Sequence, residues 1–550
     1  AATTLSGAAR TLEGSTIQTT TINGAQNLAI TGNLDLNGII GGSSAIGVFS
    51  VSGTSNLGAN VTTTGTQTYA GAVTLSANVA LATSNDQFAF QSTVNSDGST
   101  RNLTLNSGSA TIAVSNAIGG GAALGTLTIT QSGGTTFSGT VNADTVTLTD
   151  TTGSVTFAGN TTLATLNTAS QNYNVIFTGA ANTITNAVTF SNTGYIKFGD
   201  ASGDSSTFNG GLTTTAPSGI RLAGTLQTSD DAMSLGDANT AIVLYANSVL
   251  NTGSAALTVN AAVNGGYTLT LNSSAATTFK GIIGGSTKPT GITTNSGGTV
   301  VFNTTAISTN GAQAYGENAT ISGNITFTTT NNDITFSGTV NSVSDTKTLT
   351  IVAGSGDTTF SGTVGGSEAL GNTTIGTAGL TAGAIKVQGT LAITNSAASE
   401  IDGVISNGDS AGIITKAGAG NLTLSGDNTY TGATTVNAGT LIISHADSLG
   451  GTSGATTVAS GAALSISGGL TIAEPITISG TGVSSGGAIV FTGGDNTYSG
   501  AITLGATSTI VSTGGAQTIS GTVNAGNGLT ITSNSDLTIS GVVGGSTALS

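Results

Sequence analysis

An aromatic residue returns at an interval of 20 in the middle of this chain. The three copies are Thr136-Phe137-Ser138-Gly139, Thr156-Phe157-Ala158-Gly159 and Ile176-Phe177-Thr178-Gly179. A later pair, Thr335-Phe336-Ser337-Gly338-Thr339-Val340 and Thr359-Phe360-Ser361-Gly362-Thr363-Val364, is spaced by 24. Between such marks lie alternating segments, among them Leu103-Thr104-Leu105, Val146-Thr147-Leu148-Thr149 and Leu529-Thr530-Ile531-Thr532. Alternation turns one face inward and the other outward, as in a strand. Two architectures make many short strands: a string of immunoglobulin-like sandwiches, and a parallel β-helix whose coils stack on one another. In a sandwich, residues at that interval have no reason to be alike. A β-helix with about 20 residues per coil sets them one above the other. Phe137, Phe157 and Phe177 would then form an internal ladder. The spacing therefore predicts an all-β chain built as a single long parallel β-helix, continuous over residues 1–550. At about 4.8 Å per stacked strand this implies roughly 27 coils and a rod on the order of 130 Å.

A longer repeat overlies the shorter one. Gly41-Gly42-Ser43-Ser44-Ala45-Ile46-Gly47 returns as Gly119-Gly120-Gly121-Ala122-Ala123-Leu124-Gly125 and as Gly365-Gly366-Ser367-Glu368-Ala369-Leu370-Gly371. It returns again as Gly544-Gly545-Ser546-Thr547-Ala548-Leu549, with a degenerate copy at Gly284-Gly285-Ser286-Thr287. Units of roughly 80–90 residues fit every gap, which is repeat architecture. These phrases are expected at comparable corners of the coil. Glycine there supplies the positive φ that other residues resist, and Asn does so less often.

Composition supports the class. Hydrophobic residues are 37% and charged residues only 6%, so the high charge of a disordered chain is missing. There is no Trp or Cys and there are three Pro, which disfavours sandwiches joined by Pro-rich linkers and excludes disulfides and thiolate sites. No apolar run reaches the length of a membrane-spanning helix. Net charge is −15, and the nine Lys and Arg are scattered along the chain. Nucleic acid and anionic membrane surfaces need clustered cations, so neither is expected as a partner. The chain begins at Ala1 and stops inside a repeat at Ser550, as expected of a processed or internal segment.

Residues 416–444 read Lys-Ala-Gly-Ala-Gly-Asn-Leu-Thr-Leu-Ser-Gly-Asp-Asn-Thr-Tyr-Thr-Gly-Ala-Thr-Thr-Val-Asn-Ala-Gly-Thr-Leu-Ile-Ile-Ser. This resembles the autotransporter-associated β-strand repeat of type V secreted passenger domains, and residues 494–501 hold a partial copy. The Gly-Gly phrase is similar to repeats of filamentous-haemagglutinin-like surface proteins. The resemblance implies a right-handed β-helix, extracellular and displayed on a bacterial surface, often as an adhesin.

Candidate chemistry is sparse. β-helical polysaccharide lyases set Arg or Lys beside carboxylates, and glycosidases need a carboxyl pair at fixed separation. The best carboxyl pairs are Asp200 with Asp204 and Asp230 with Asp231, beside glycines of solvated turns. His445, the only histidine, has no obvious second ligand or nucleophile in sequence and is expected at an exposed strand end. Met233 and the eight Tyr, Tyr430 and Tyr498 among them, are expected to pack. Gly-Asp pairs at 199–200, 203–204, 356–357, 408–409 and 426–427 lack the nine-residue spacing of calcium-binding rolls. No catalytic, cofactor or metal-ligating set is expected, with weak surface calcium left open. The chain thus reads as a non-enzymatic structural or adhesive surface rod. It is expected to self-associate into a filament, sheath or array, or to contact a host or neighbouring cell. The alternatives are a monomeric adhesin stalk with its binding tip elsewhere, and a polysaccharide-degrading β-helix enzyme.

Overall fold

The computed structural model describes residues 3–344, 347–524, 526–545 and 548–550. Ser546 and Thr547 of the last Gly-Gly phrase lie outside them. The chain divides into two compact units, Ala1–Ala275 and Ala276–Ser550. Each is a β-solenoid of short strands, and among the described residues the helical element is one 3-10 turn, Val483–Ser485.

In the first unit Phe137 pairs in register with Phe157, Phe157 with Phe177, and Phe177 with Phe198, all in parallel strands. Their ring centroids are 5.1, 5.0 and 6.1 Å apart with planes within 22° of parallel. That spacing is close to the distance between hydrogen-bonded strands, so the rings ride directly on the stacked backbone. In the second unit Tyr315, Phe336 and Phe360 do the same, at 5.0 and 5.3 Å. Sandwiches would pair their strands antiparallel; these strands are parallel, each set against the same strand of the next coil. The step from coil to coil is not constant. Phe49 registers with Gln67, a shorter step than that of the phenylalanine ladder, and Thr471 with Thr497, a longer one. The variation is taken up at the corners, while strands such as Val73–Leu75 and Phe88–Phe90 keep the buried–half-buried–buried alternation.

The Gly-Gly phrases occupy one local geometry. Gly41, Gly119, Gly284, Gly365 and Gly544 have φ of 74°, 68°, 73°, 73° and 69°. Each follows a residue in an isolated parallel bridge: Ile40, Ile118, Ile283, Val364 and Val543. A Cβ on Gly41 would strike the Thr62 carbonyl, and one on Gly119 the Asn142 carbonyl, so both the positive φ and the close approach demand glycine. The preceding coil clips three of these corners in the same way. Asn23, Asn95 and Asn341 accept backbone N–H bonds through Oδ1 from Ser43, Gly121 and Ser367, at 2.9, 2.8 and 3.0 Å. Asparagine therefore serves the coil mainly as a cross-coil acceptor. It takes positive φ only at Asn85 and Asn331 among the described residues.

Some of the polar sequence faces inward. Tyr69 Oη donates to Gln67 Oε1 at 3.0 Å, and Gln67 Nε2 donates to the Ala82 and Val61 carbonyls and to Thr63 Oγ1. The second unit repeats this network atom for atom, with Tyr315, Gln313, Thr328, Ile307 and Thr309. Satisfying every amide atom is what lets a glutamine sit at 0–1% exposure in a solenoid core.

Candidate functional site

The most chemically distinctive region spans the strands Ile413–Ala417, Asn421–Leu424, Thr434–Val436 and Gly439–Ile443. Lys416 lies on the inward face of the first strand and is fully buried. Its Nζ donates to the carbonyls of Ala417, Gly418 and Ala438 at 2.9, 2.9 and 3.0 Å. Burial without a counter-charge pushes its pKa down to about 8. The ammonium thus replaces a turn's missing donors and joins one coil to the next.

Lys416→Met keeps the aliphatic volume but strands those three carbonyls, an expected loss of about 1–3 kcal/mol in urea melts at pH 7. The unfolded chain holds the Lys proton more tightly than the folded one, so wild-type stability is expected to rise with pH between about 8 and 10.5. The Met variant should lack that rise.

Tyr430 and Tyr498 are both fully buried, as packing residues should be, whereas Tyr245 and Tyr267 depart from that expectation and are exposed. Their hydroxyls find different partners: Tyr430 Oη bonds Thr434 Oγ1 at 2.6 Å, and Tyr498 Oη donates to the Glu474 carbonyl at 2.8 Å. The Glu474 carboxyl itself is buried near these tyrosines, and desolvation raises its pKa to about 8.

At the corner of the same coils, register brings three ionisable side chains together. Leu424 pairs with Ile443, so the chain beyond each strand end sets Asp427 against the turn holding His445 and Asp447. Asn428, 3% exposed, pins the arrangement. Its N–H donates to the Asp447 carbonyl at 3.2 Å and its Nδ2 to the Ser448 carbonyl at 2.7 Å, while Ile405 N–H donates to its Oδ1 at 2.7 Å. One ligand-capable atom from each of Asp427, His445 and Asp447 lies within 4.8 Å of the other two. Asp427 stands a whole coil ahead of the other two in sequence, and no linear motif announces the group.

The other carboxylates take local roles. Asp204 Oδ2 accepts the N–H groups of Asp200 and Ala201 at 2.8 and 3.0 Å, capping its own turn. Asp230 Oδ1 accepts Ser254 N–H at 2.8 Å across a coil, while Asp231 is exposed. Asp357 Oδ1 accepts Gly379 N–H at 2.8 Å. Met233 is core. The scattered cations are not all isolated once folded. Lys197 and Arg221 are register neighbours, and the Arg221 guanidinium carbon lies 3.6 Å from the Tyr195 ring centre and 5.7 Å from that of Tyr245.

One family model matches the chain: the passenger-associated transport repeat, over residues 414–443. Those residues carry Lys416, Asp427 and Tyr430 and end just before His445. Neither a curated protein nor a solved structure gave a match. The matched repeat is that of secreted or surface-exposed passenger proteins. The repeat and the parallel solenoid that carries it together fit an autotransporter passenger β-helical protein.

Proposed function

We propose that this chain is a non-enzymatic structural and adhesive segment of a bacterial surface protein, and that it self-associates. The observation that supports this reading is an apolar side chain left uncovered at recurring Gly-Gly corners. Ile39, Ile282 and Val542 are 43%, 43% and 59% exposed, and each stands two residues before the first glycine. A Cβ on the second glycine would lie 2.8 Å from Ile39 Cγ2, 3.2 Å from Ile282 Cγ2 and 2.5 Å from Val542 Cγ1. The bare glycine thus leaves the branched side chain free to meet a neighbour. Ser43 and Ser44 flank the first of these corners in place of charge, so close approach there meets no local like-charge repulsion.

Sedimentation and electron microscopy of the wild type and of an Ile39→Thr/Ile282→Thr/Val542→Thr variant test this. The wild type is expected to form higher-order species, and the variant to stay monodisperse with an unchanged melting temperature. Exposed substitutions of this kind shift stability by only about 0.5 kcal/mol. A wild type that remains monomeric at high concentration would leave a single stalk as the function.

A further inference from the structure

We infer that Asp427, His445 and Asp447 form a surface site for a borderline divalent transition-metal ion such as Zn2+, clasping two successive coils. The donor set is one imidazole nitrogen and two carboxylates, which suits such ions better than calcium or magnesium, both of which favour all-oxygen shells. Metal–ligand bonds of about 2.0–2.2 Å require donor atoms about 3–4 Å apart. His445 Nδ1 and Asp447 Oδ2 are already 4.0 Å apart, and all three donors fall within 4.8 Å, so side-chain rotation alone closes the set.

The electrostatics favour a cation independently of the spacing. Several corner aspartates spend their carboxylates on backbone N–H groups, as Asp204, Asp230 and Asp357 do. Among the described residues no hydrogen-bond donor engages the carboxylate of Asp427 or of Asp447, and the only ion-pair contact is the long one to His445. His445 Nδ1 faces the same space, where it accepts Asp447 N–H at 3.2 Å, a long bond that an arriving ion would displace. Two carboxylates and an imidazole nitrogen thus lie within 4.8 Å of one another, and a metal ion supplies the positive charge that no described neighbour provides. The His445 and Asp447 side chains are 42% and 62% exposed, so an ion can enter from solvent and keep water in its remaining positions. Because Asp427 belongs to one coil and His445 and Asp447 to the next, binding ties the middle of the matched repeat to the turn just beyond its end.

The chain has a single histidine, which makes the test unambiguous. Titration of the whole chain with Zn2+ alone, followed by calorimetry and by the one imidazole resonance set in NMR, is expected to give saturable one-to-one binding. It should shift the His445 signals and raise the melting temperature, whereas Ca2+ at the same concentration should do neither. His445→Ala and Asp427→Asn are each expected to weaken Zn2+ binding at least tenfold while circular dichroism and the metal-free melting temperature stay unchanged. Absence of binding by the wild type overturns the site. So does binding that survives both substitutions, or that leaves the histidine resonances unmoved.

Discussion

Phe157→Ala is expected to cost about 3–5 kcal/mol, with the damage confined to neighbouring coils. The ring sits between Phe137 and Phe177 at 5.1 and 5.0 Å, so truncation opens a cavity facing two interfaces at once. In a solenoid, stability is a sum of coil and nearest-neighbour terms, and a lost interface is felt locally. Hydrogen exchange should therefore show protection falling in Gly134–Phe137, Ser154–Phe157 and Asn174–Phe177, with Phe88–Phe90 little changed. A uniform loss across the unit would contradict the stacked account. The adjacent glycine column makes the complementary point. A Cβ on Gly159 would overlap the carbonyl of Gly139, and one on Gly179 that of Gly159. Gly159→Val is thus expected to disrupt the same three coils by overpacking.

Stability is also expected to fall as pH rises from about 4.5 toward 8, because of Glu474. Its side chain is 3% exposed, and its Oε2 meets no hydrogen-bond partner among the described residues. Burial raises its pKa from 4.5 to about 8, so between those values the folded state holds a proton that the unfolded state has released. The protonated carboxyl's contribution is complete below pH 4.5 and is lost as pH climbs toward and through 8, on the order of 5 kcal/mol in all. Lys416 works with the opposite sign in the next window, between 8 and 10.5. Together they place a stability minimum near pH 8. Urea melts of wild type and Glu474→Gln across pH 5 to 10 check this. The Gln variant should lose the fall toward pH 8 and keep the later rise, and a wild-type profile flat from 5 to 8 would be inconsistent with a buried carboxyl.

How much of this was legible depended on whether a feature repeats. The phenylalanine interval equals the register step itself, so the ladder could be read directly, and the Gly-Gly phrases marked one corner geometry wherever they occurred. Inward polar groups were harder to see, because Thr, Gln and Lys look alike on either face of a strand. The Gln67 and Gln313 networks carried a signal all the same: Thr63-Thr64-Gly65-Thr66-Gln67-Thr68-Tyr69 and Thr309-Asn310-Gly311-Ala312-Gln313-Ala314-Tyr315 share Thr, Gly, Gln and Tyr at fixed offsets. Lys416 and Glu474 offered no such mark, since their burial follows from strand parity and corner placement. The grouping of Asp427 with His445 and Asp447, and of Lys197 with Arg221, depends on which residue of one coil faces which of the next. Unequal coils, such as those that pair Phe49 with Gln67 and Thr471 with Thr497, hide that pairing from a linear reading.

Parallel in-register stacking can be tested directly, because the chain has no cysteine of its own. Thr136 and Thr156 are outward-facing register partners in the first unit, as are Thr335 and Thr359 in the second. Stacked strands hold Cα atoms about 5 Å apart, within disulfide range, whereas residues two coils apart lie about 10 Å away. Thr136→Cys/Thr156→Cys and Thr335→Cys/Thr359→Cys are expected to crosslink within the monomer under mild oxidation, and Thr136→Cys/Ile176→Cys is not. Failure of both adjacent pairs, or equal crosslinking of the two-coil pair, would contradict the solenoid on which the whole account rests.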